Sequence, residues 1–119
     1  MANQEEKGTT FRALHQPDKA FIVPNPWDAG TARLLEAPGF EALATTSAGF
    51  AFSRGKPDGA VHREAMLLQV ADMVAAADWP VSADLENGDG GGPDYMAETV
   101  DLVEFRCAFA LNLANVAHF

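Results

Sequence analysis

Three short apolar runs constrain this chain most: Ala20-Phe21-Ile22-Val23, Ala42-Leu43-Ala44-Thr45-Thr46 and Val81-Ser82-Ala83-Asp84-Leu85. Each has the length of a strand buried on both faces rather than of a helix. Stretches of helical spacing lie between and after them. Asp28 is a good N-cap for a helix over 29–37, with Ala32, Leu34 and Leu35 as its inner face and Pro38-Gly39 as its stop. Over 62–78, Met66, Val70, Met73, Val74 and Ala77 recur at three and four residues, and Trp79-Pro80 closes that helix. Pro93 suits the first position of another helix, reaching about residue 104. A shorter helix over 9–15, capped by Thr9 or Thr10, precedes the first run, and residues 47–59 read as a loop.

The order strand, helix, strand, helix, strand, helix predicts a parallel sheet with right-handed crossovers. A doubly wound sheet and a (β/α) barrel both satisfy it. The odd polar residues, Thr45-Thr46-Ser47 and Asp84 with Glu86, fall at the carboxyl ends of strands, where barrel enzymes carry their chemistry. Open sheets also bind ligands there, so this position favours the barrel and leaves the alternative open.

With 119 residues, the chain holds one domain with a real core. No apolar run approaches the roughly 18 residues of a membrane span, and the polar, acidic start Met1-Ala2-Asn3-Gln4-Glu5-Glu6-Lys7 reads as no secretion signal. Cys107 is the single cysteine, which rules out an internal disulfide and fits a reducing compartment, so a cytoplasmic location is expected. The formal net charge of -9 argues against nucleic acid as a partner, because phosphate binding rests on clustered Lys and Arg. Asp94, Glu98, Asp101 and Glu104 read as a solvated helix face. Asp84 and Glu86 do not, because they sit on an apolar run.

Two residues apart on a strand, Asp84 and Glu86 point to the same face. Adjacent carboxylates repel in a poorly solvated site unless a cation neutralises them, and Mg²⁺ with a few carboxylates and several waters is the natural solution. The plainer reading, a strand end whose acids face solvent, fits the spacing as well. Asp58 lies in the loop after the second strand, within reach of the third if the two are neighbours; by itself Pro57-Asp58-Gly59 is a turn. Ser47-Ala48-Gly49 offers small side chains and backbone N–H groups just past a strand end, suited to a carboxylate or a developing oxyanion, or equally to a tight turn. Gly88-Asp89-Gly90-Gly91-Gly92 lacks the Lys and Ser/Thr of a phosphate loop, which leaves a flexible linker or a gate. Cys107 reads as a packing residue rather than a nucleophile.

Taken together, Phe21-Ile22-Val23-Pro24-Asn25-Pro26-Trp27-Asp28-Ala29-Gly30, the segment 42–49, Gly55-Lys56-Pro57-Asp58-Gly59 and Ser82-Ala83-Asp84-Leu85-Glu86-Asn87-Gly88 resemble the isocitrate lyase/phosphoenolpyruvate mutase family in order and spacing. The resemblance, over about residues 11–100, implies the N-terminal half of a (β/α)8 TIM barrel, with three to four parallel strands and their helices in one incomplete domain over 1–119. It implies a Mg²⁺-dependent lyase or phosphonomutase that cleaves a C–C or P–C bond of a small 2-oxo or 2-hydroxy acid through an enolate. Asp84 would be the direct metal ligand, Asp58 and Glu86 would hold metal-bound waters, and Ser47, Ala48 and Gly49 would cradle the substrate carboxylate. A homo-oligomer is implied for the full-length parent, and no catalytic acid or base is assigned within this chain.

Residues 108–113 align with the family's fourth strand, where Ala114-Asn115 stand in place of a Glu-Asp pair. Pro38 and Asp89 are further departures. Because such a barrel takes about 250 residues, the chain is expected to be an incomplete copy without turnover of its own. The alternative is a non-catalytic half-barrel that self-associates through its apolar tail, residues 105–119.

Overall fold

The computed structural model describes residues 2–85, 92–106 and 110–112. Its elements run α1 (Gln4–Leu14), α2 (Ala29–Glu36), β1 (Leu43–Ala44), α3 (Ser47–Ser53), α4 (Arg63–Ala76), β2 (Val81–Asp84), α5 (Pro93–Arg106) and β3 (Ala110–Asn112). The three strands form one parallel sheet in the order β1-β2-β3, with Leu43 opposite Val81 and Asp84 opposite Asn112. Chain order and spatial order coincide, and there is no switch point of the doubly wound kind among the described strands.

The pleat of β2 divides its side chains between two environments. Val81, Ala83 and the following Leu85 are buried, while Ser82 and Asp84 on the opposite face are half-buried. Val81 packs with Ala32 of α2, Leu43 of β1, and Met73 and Ala77 on α4. Ala83 and Leu85 pack with Leu67 and Val70 of α4 and Val103 of α5. The described core helices therefore cover one face of the sheet. A barrel has this plan, whereas an open doubly wound sheet is covered on both faces.

Helix starts follow from the capping chemistry. Asp28 Oδ1 accepts the Thr31 amide at 2.8 Å and the Thr31 hydroxyl at 2.8 Å, fixing the first turn of α2. These hydrogen bonds, the backbone one first and then the hydroxyl, hold the Asp28 carboxyl below its ordinary pKa. A carboxylate with a lowered folded-state pKa stabilises above its unfolded pKa and loses that contribution as pH falls through the folded value. Asp28→Ala should cost about 1 kcal/mol near neutrality, the usual worth of such a cap. Urea denaturation at a series of pH values should show the gap between the two proteins shrinking as the pH drops below the range of an ordinary carboxylate. Pro93 occupies the first position of α5, as its sequence position predicts.

Four expectations are corrected. The first helix begins at Gln4 rather than Thr9, because Asn3 and Glu6 form a reciprocal capping box; Thr9 and Thr10 instead bond back to the Glu5 and Glu6 carbonyls. Lys7 on this helix is only 5% exposed, and its Nζ donates to the Ala77 carbonyl at 2.6 Å, at the C-terminal end of α4. Burial lowers the Lys7 pKa, and Asp78 and Glu36 work against that shift. The run 20–23 is not a strand buried on both faces. It lies beside β1 through one backbone bond, Ala44 N–H to the Pro24 carbonyl at 3.0 Å, and Ile22 is 70% exposed. Pro24 and Pro26 have no N–H to give a ladder.

Leu34 is 70% exposed rather than part of the inner face of α2, whose buried contacts come from Ala32 and Leu35, three residues apart. Residues 47–53 form α3 instead of a loop, seeded by Thr46, whose hydroxyl accepts the Gly49 amide at 3.3 Å. Phe50 and Ala51 are buried on it. Only residues 54–59 behave as the expected turn, with Gly55 and Gly59 at φ of 68° and 82°.

Candidate functional site

At the carboxyl ends of β1 and β2 a cavity of about 220 Å³ is lined by Asn25, Ala44, Thr45, Thr46, Ser82 and Asp84. The pleat that buries Ala83 under the helices turns Ser82 and Asp84 toward this cavity. Thr45 ties the two strands together at this point. Its amide donates to the Ser82 carbonyl at 2.8 Å, and its side-chain oxygen accepts the Asp84 amide at 2.8 Å. One carboxylate oxygen of Asp84 in turn accepts the Ser47 amide at 3.4 Å. The Asn25 side-chain amide donates to the Ala44 carbonyl at 3.1 Å, which fixes the opposite wall. The lining thus gathers one carboxylate with hydroxyl and amide oxygens and includes no Lys, Arg or His. Such a donor set matches a hard divalent cation and suits polarisation of a ligand oxygen.

Asp84 and Ser47 are brought together as the strand ends predict. Ser47, Ala48 and Gly49 form the first turn of α3, and the Gly49 amide is engaged by Thr46 rather than left for a ligand. Asp58 is exposed in the 57–60 turn and is not among the residues lining the cavity. Glu86, the Gly88 to Gly91 run, Cys107 and Ala114-Asn115 lie outside the described residues. Among the described residues no three His, Cys, Asp or Glu side chains gather into a metal-holding group.

The supports of the site escaped the sequence reading. Gln69 of α4 is buried, and its Nε2 donates to the Trp27 carbonyl at 2.7 Å. The Trp27 amide donates to the Thr31 hydroxyl at 2.9 Å. The loop that carries Asn25 is thereby fixed to two helices, and the Trp27 indole lies against Gly49. The one signal in the sequence is the Pro24-Asn25-Pro26 triplet, a polar residue stiffened on both sides at a strand end.

A parallel array covered by helices on one face, with an acid and oxygen donors at the strand carboxyl ends on the other, is the plan of part of a (β/α) barrel. The sequence profile of the phosphoenolpyruvate phosphomutase family matches residues 11–116, and the chain belongs to that family, within the phosphoenolpyruvate mutase/isocitrate lyase superfamily.

Among its relatives, the 2-methylisocitrate lyase of Bacillus subtilis strain 168 is 32% identical over 108 residues, covering 90% of this chain and 36% of that enzyme. A Burkholderia cenocepacia J2315 protein described as a lyase/mutase superposes with a TM-score of 0.87 at 57% identity, over 92% of this chain and 39% of the other. The crystal structure of 2,3-dimethylmalate lyase gives a TM-score of 0.79 at 31% identity, over 90% of this chain and 38% of the other. The chain thus spans little more than a third of the length of these relatives, and what it matches is the N-terminal part of their barrels. Among the described residues no helix is long and apolar enough to cross a membrane.

Proposed function

We propose that this chain carries the metal- and carboxylate-binding part of a Mg²⁺-dependent lyase or phosphonomutase that breaks a C–C or P–C bond of a small 2-oxo or 2-hydroxy acid through an enolate. The observation that carries the reading is the inward carboxylate of Asp84 in a cavity of oxygen donors, beside the Ser47 amide. Asp84 would hold the cation directly; the water-mediated roles of Asp58 and Glu86 rest on the family resemblance alone, Asp58 reaching the cation only if the 57–60 turn closes toward the cavity. Of the Ser47-Ala48-Gly49 turn, Ser47 and Ala48 would orient the substrate carboxylate, the Gly49 amide being used by the Thr46 cap. When bound, Mg²⁺ supplies a Lewis acid that stabilises negative charge on an enolate oxygen.

The residues of the chain have separable parts in this scheme. Thr45 sets the height of Asp84 by holding its backbone amide. The Ser47 amide keeps the carboxylate turned toward the start of α3. Asn25, fixed to Ala44, adds a polar side chain to the wall of the cavity.

Thermal denaturation in a Mg²⁺ titration tests the reading. At about 100 times the dissociation constant, binding to the folded state alone adds about 2.7 kcal/mol, a rise in melting temperature of about 10 °C for a domain of this size. Asp84→Ala should abolish the rise, and oxalate, shaped like the enolate of a 2-oxo acid, should add to it only when Mg²⁺ is present. No Mg²⁺-dependent rise, or one retained by Asp84→Ala, would overturn the assignment.

A further inference from the structure

Most polar atoms around the strand-end cavity are already engaged. The Thr45 amide and hydroxyl oxygen hold β2, and the Thr46 hydroxyl accepts the Gly49 amide. The Asn25 side chain gives one N–H to the Ala44 carbonyl. Ser82 is different. Its backbone carbonyl serves the ladder, but its hydroxyl bonds to nothing among the described residues. It is half-buried, on the same face of β2 as Asp84 and in the same cavity.

Position gives this hydroxyl its meaning. Two residues along a strand span about 6.6 Å, so Ser82 lies one row deeper than Asp84. Its partner in register is Ala44, which lines the cavity beside it. Barrel interiors are mostly filled by bulky branched side chains. Here the row beneath the carboxylate offers a methyl and a hydroxymethyl, which leaves space together with one free hydrogen-bonding group.

A hydroxyl half withdrawn from water favours a ligand that replaces its hydration. An apolar substituent would displace that water and return no bond. A second carboxylate would find no Lys, Arg or His on the described lining. A neutral group that both donates and accepts, a hydroxyl above all, matches the serine in kind. With the carboxylate of the acid at Ser47 and Ala48 and its 2-oxo oxygen on the cation, C3 is the atom left to point down β2 toward Ser82.

We propose that Ser82 is a specificity-determining residue, selecting 2-oxo acids that carry a hydroxyl on C3. The inference rests on the cation and carboxylate positions proposed above and adds the substituent to them.

Two acids of nearly equal shape test it: hydroxypyruvate, with a terminal hydroxyl, and 2-oxobutyrate, with a methyl in its place. Dissociation constants come from melting curves of the 119-residue chain at saturating Mg²⁺, with oxalate as the reference because it has no substituent. Hydroxypyruvate should bind about tenfold more tightly than 2-oxobutyrate, the scale of one net hydrogen bond. In Ser82→Ala the ratio should fall to about one, and in Ser82→Thr, which keeps a hydroxyl on a side chain suited to a strand, the preference should return. Should the alanine variant fail to fold, the ratio in the parent chain decides by itself. Equal binding of the two acids by the parent, or a preference that survives in Ser82→Ala, would overturn the proposal while the oxalate response stands. Absence of the Mg²⁺ and oxalate responses themselves would overturn the reading of the site and this inference with it.

Discussion

Leu67→Ala should destabilise the chain by about 2–5 kcal/mol, the range seen when a fully buried leucine is cut to alanine and its surroundings collapse only in part. Leu67 is 0% exposed and meets Val70, Ala83, Leu85 and Val103, so one side chain joins α4, β2 and α5. Domains of ordinary stability have only about 5–15 kcal/mol to lose. The expected result in urea denaturation is a large fall in the midpoint, or no cooperative transition at all. Leu68→Ala on the exposed neighbouring position is the control and should stay within about 0.5 kcal/mol of the parent.

Gly49→Ala should cost about 1–3 kcal/mol by overpacking, although alanine is the better helix former. A Cβ at this position would lie 2.6 Å from the Thr46 methyl and would run into the Trp27 indole. Neither neighbour yields easily. Thr46 caps the helix that carries Gly49, and the Trp27 backbone is held by Thr31 and Gln69. Relief would come from displacing the indole and the Asn25 loop with it, so the substitution should also weaken the Mg²⁺-dependent stabilisation. Denaturation midpoints with and without Mg²⁺ measure both effects. A variant as stable as the parent would show that Trp27 does not close over the start of α3.

Local chemistry made much of the fold legible. Asp28 and Pro93 announce α2 and α5 because a cap and a first-turn proline act within one helical turn. The spacing of Val70, Met73 and Ala77 announces α4 because burial follows its period, and all three are buried. Strict alternation along β2 puts Asp84 on the cavity side, whereas its spacing in sequence tied it only to the same face as Glu86. The start of α1 was equally local, in Asn3 and Glu6, but a threonine nearer the apolar residues drew the reading away.

Other features depend on residues far apart in sequence. The run 20–23 is apolar enough for an inner strand, yet strand formation needs a partner on each side, which no property of the run itself supplies. Gln69 reaches Trp27 across 42 positions and Lys7 reaches Ala77 across 70. No spacing rule connects such pairs. Within the site, Asp84 and Ser47 were readable as strand-end residues, whereas the role of Thr45 as the tie between them is visible only in three dimensions.

That tie makes register and chemistry a single variable. Thr45 continues the ladder between β1 and β2 with a side chain, at the point where sheet passes into cavity. A slip of β2 by one residue would turn Asp84 beneath the helices and bring Ala83 or Leu85 to the cavity. The resulting protein would have the same composition, nearly the same secondary structure and no acid at its centre. Misfolding of this chain need not look like unfolding: a well-formed impostor, its cavity without an acid, is the failure that the threonine guards against.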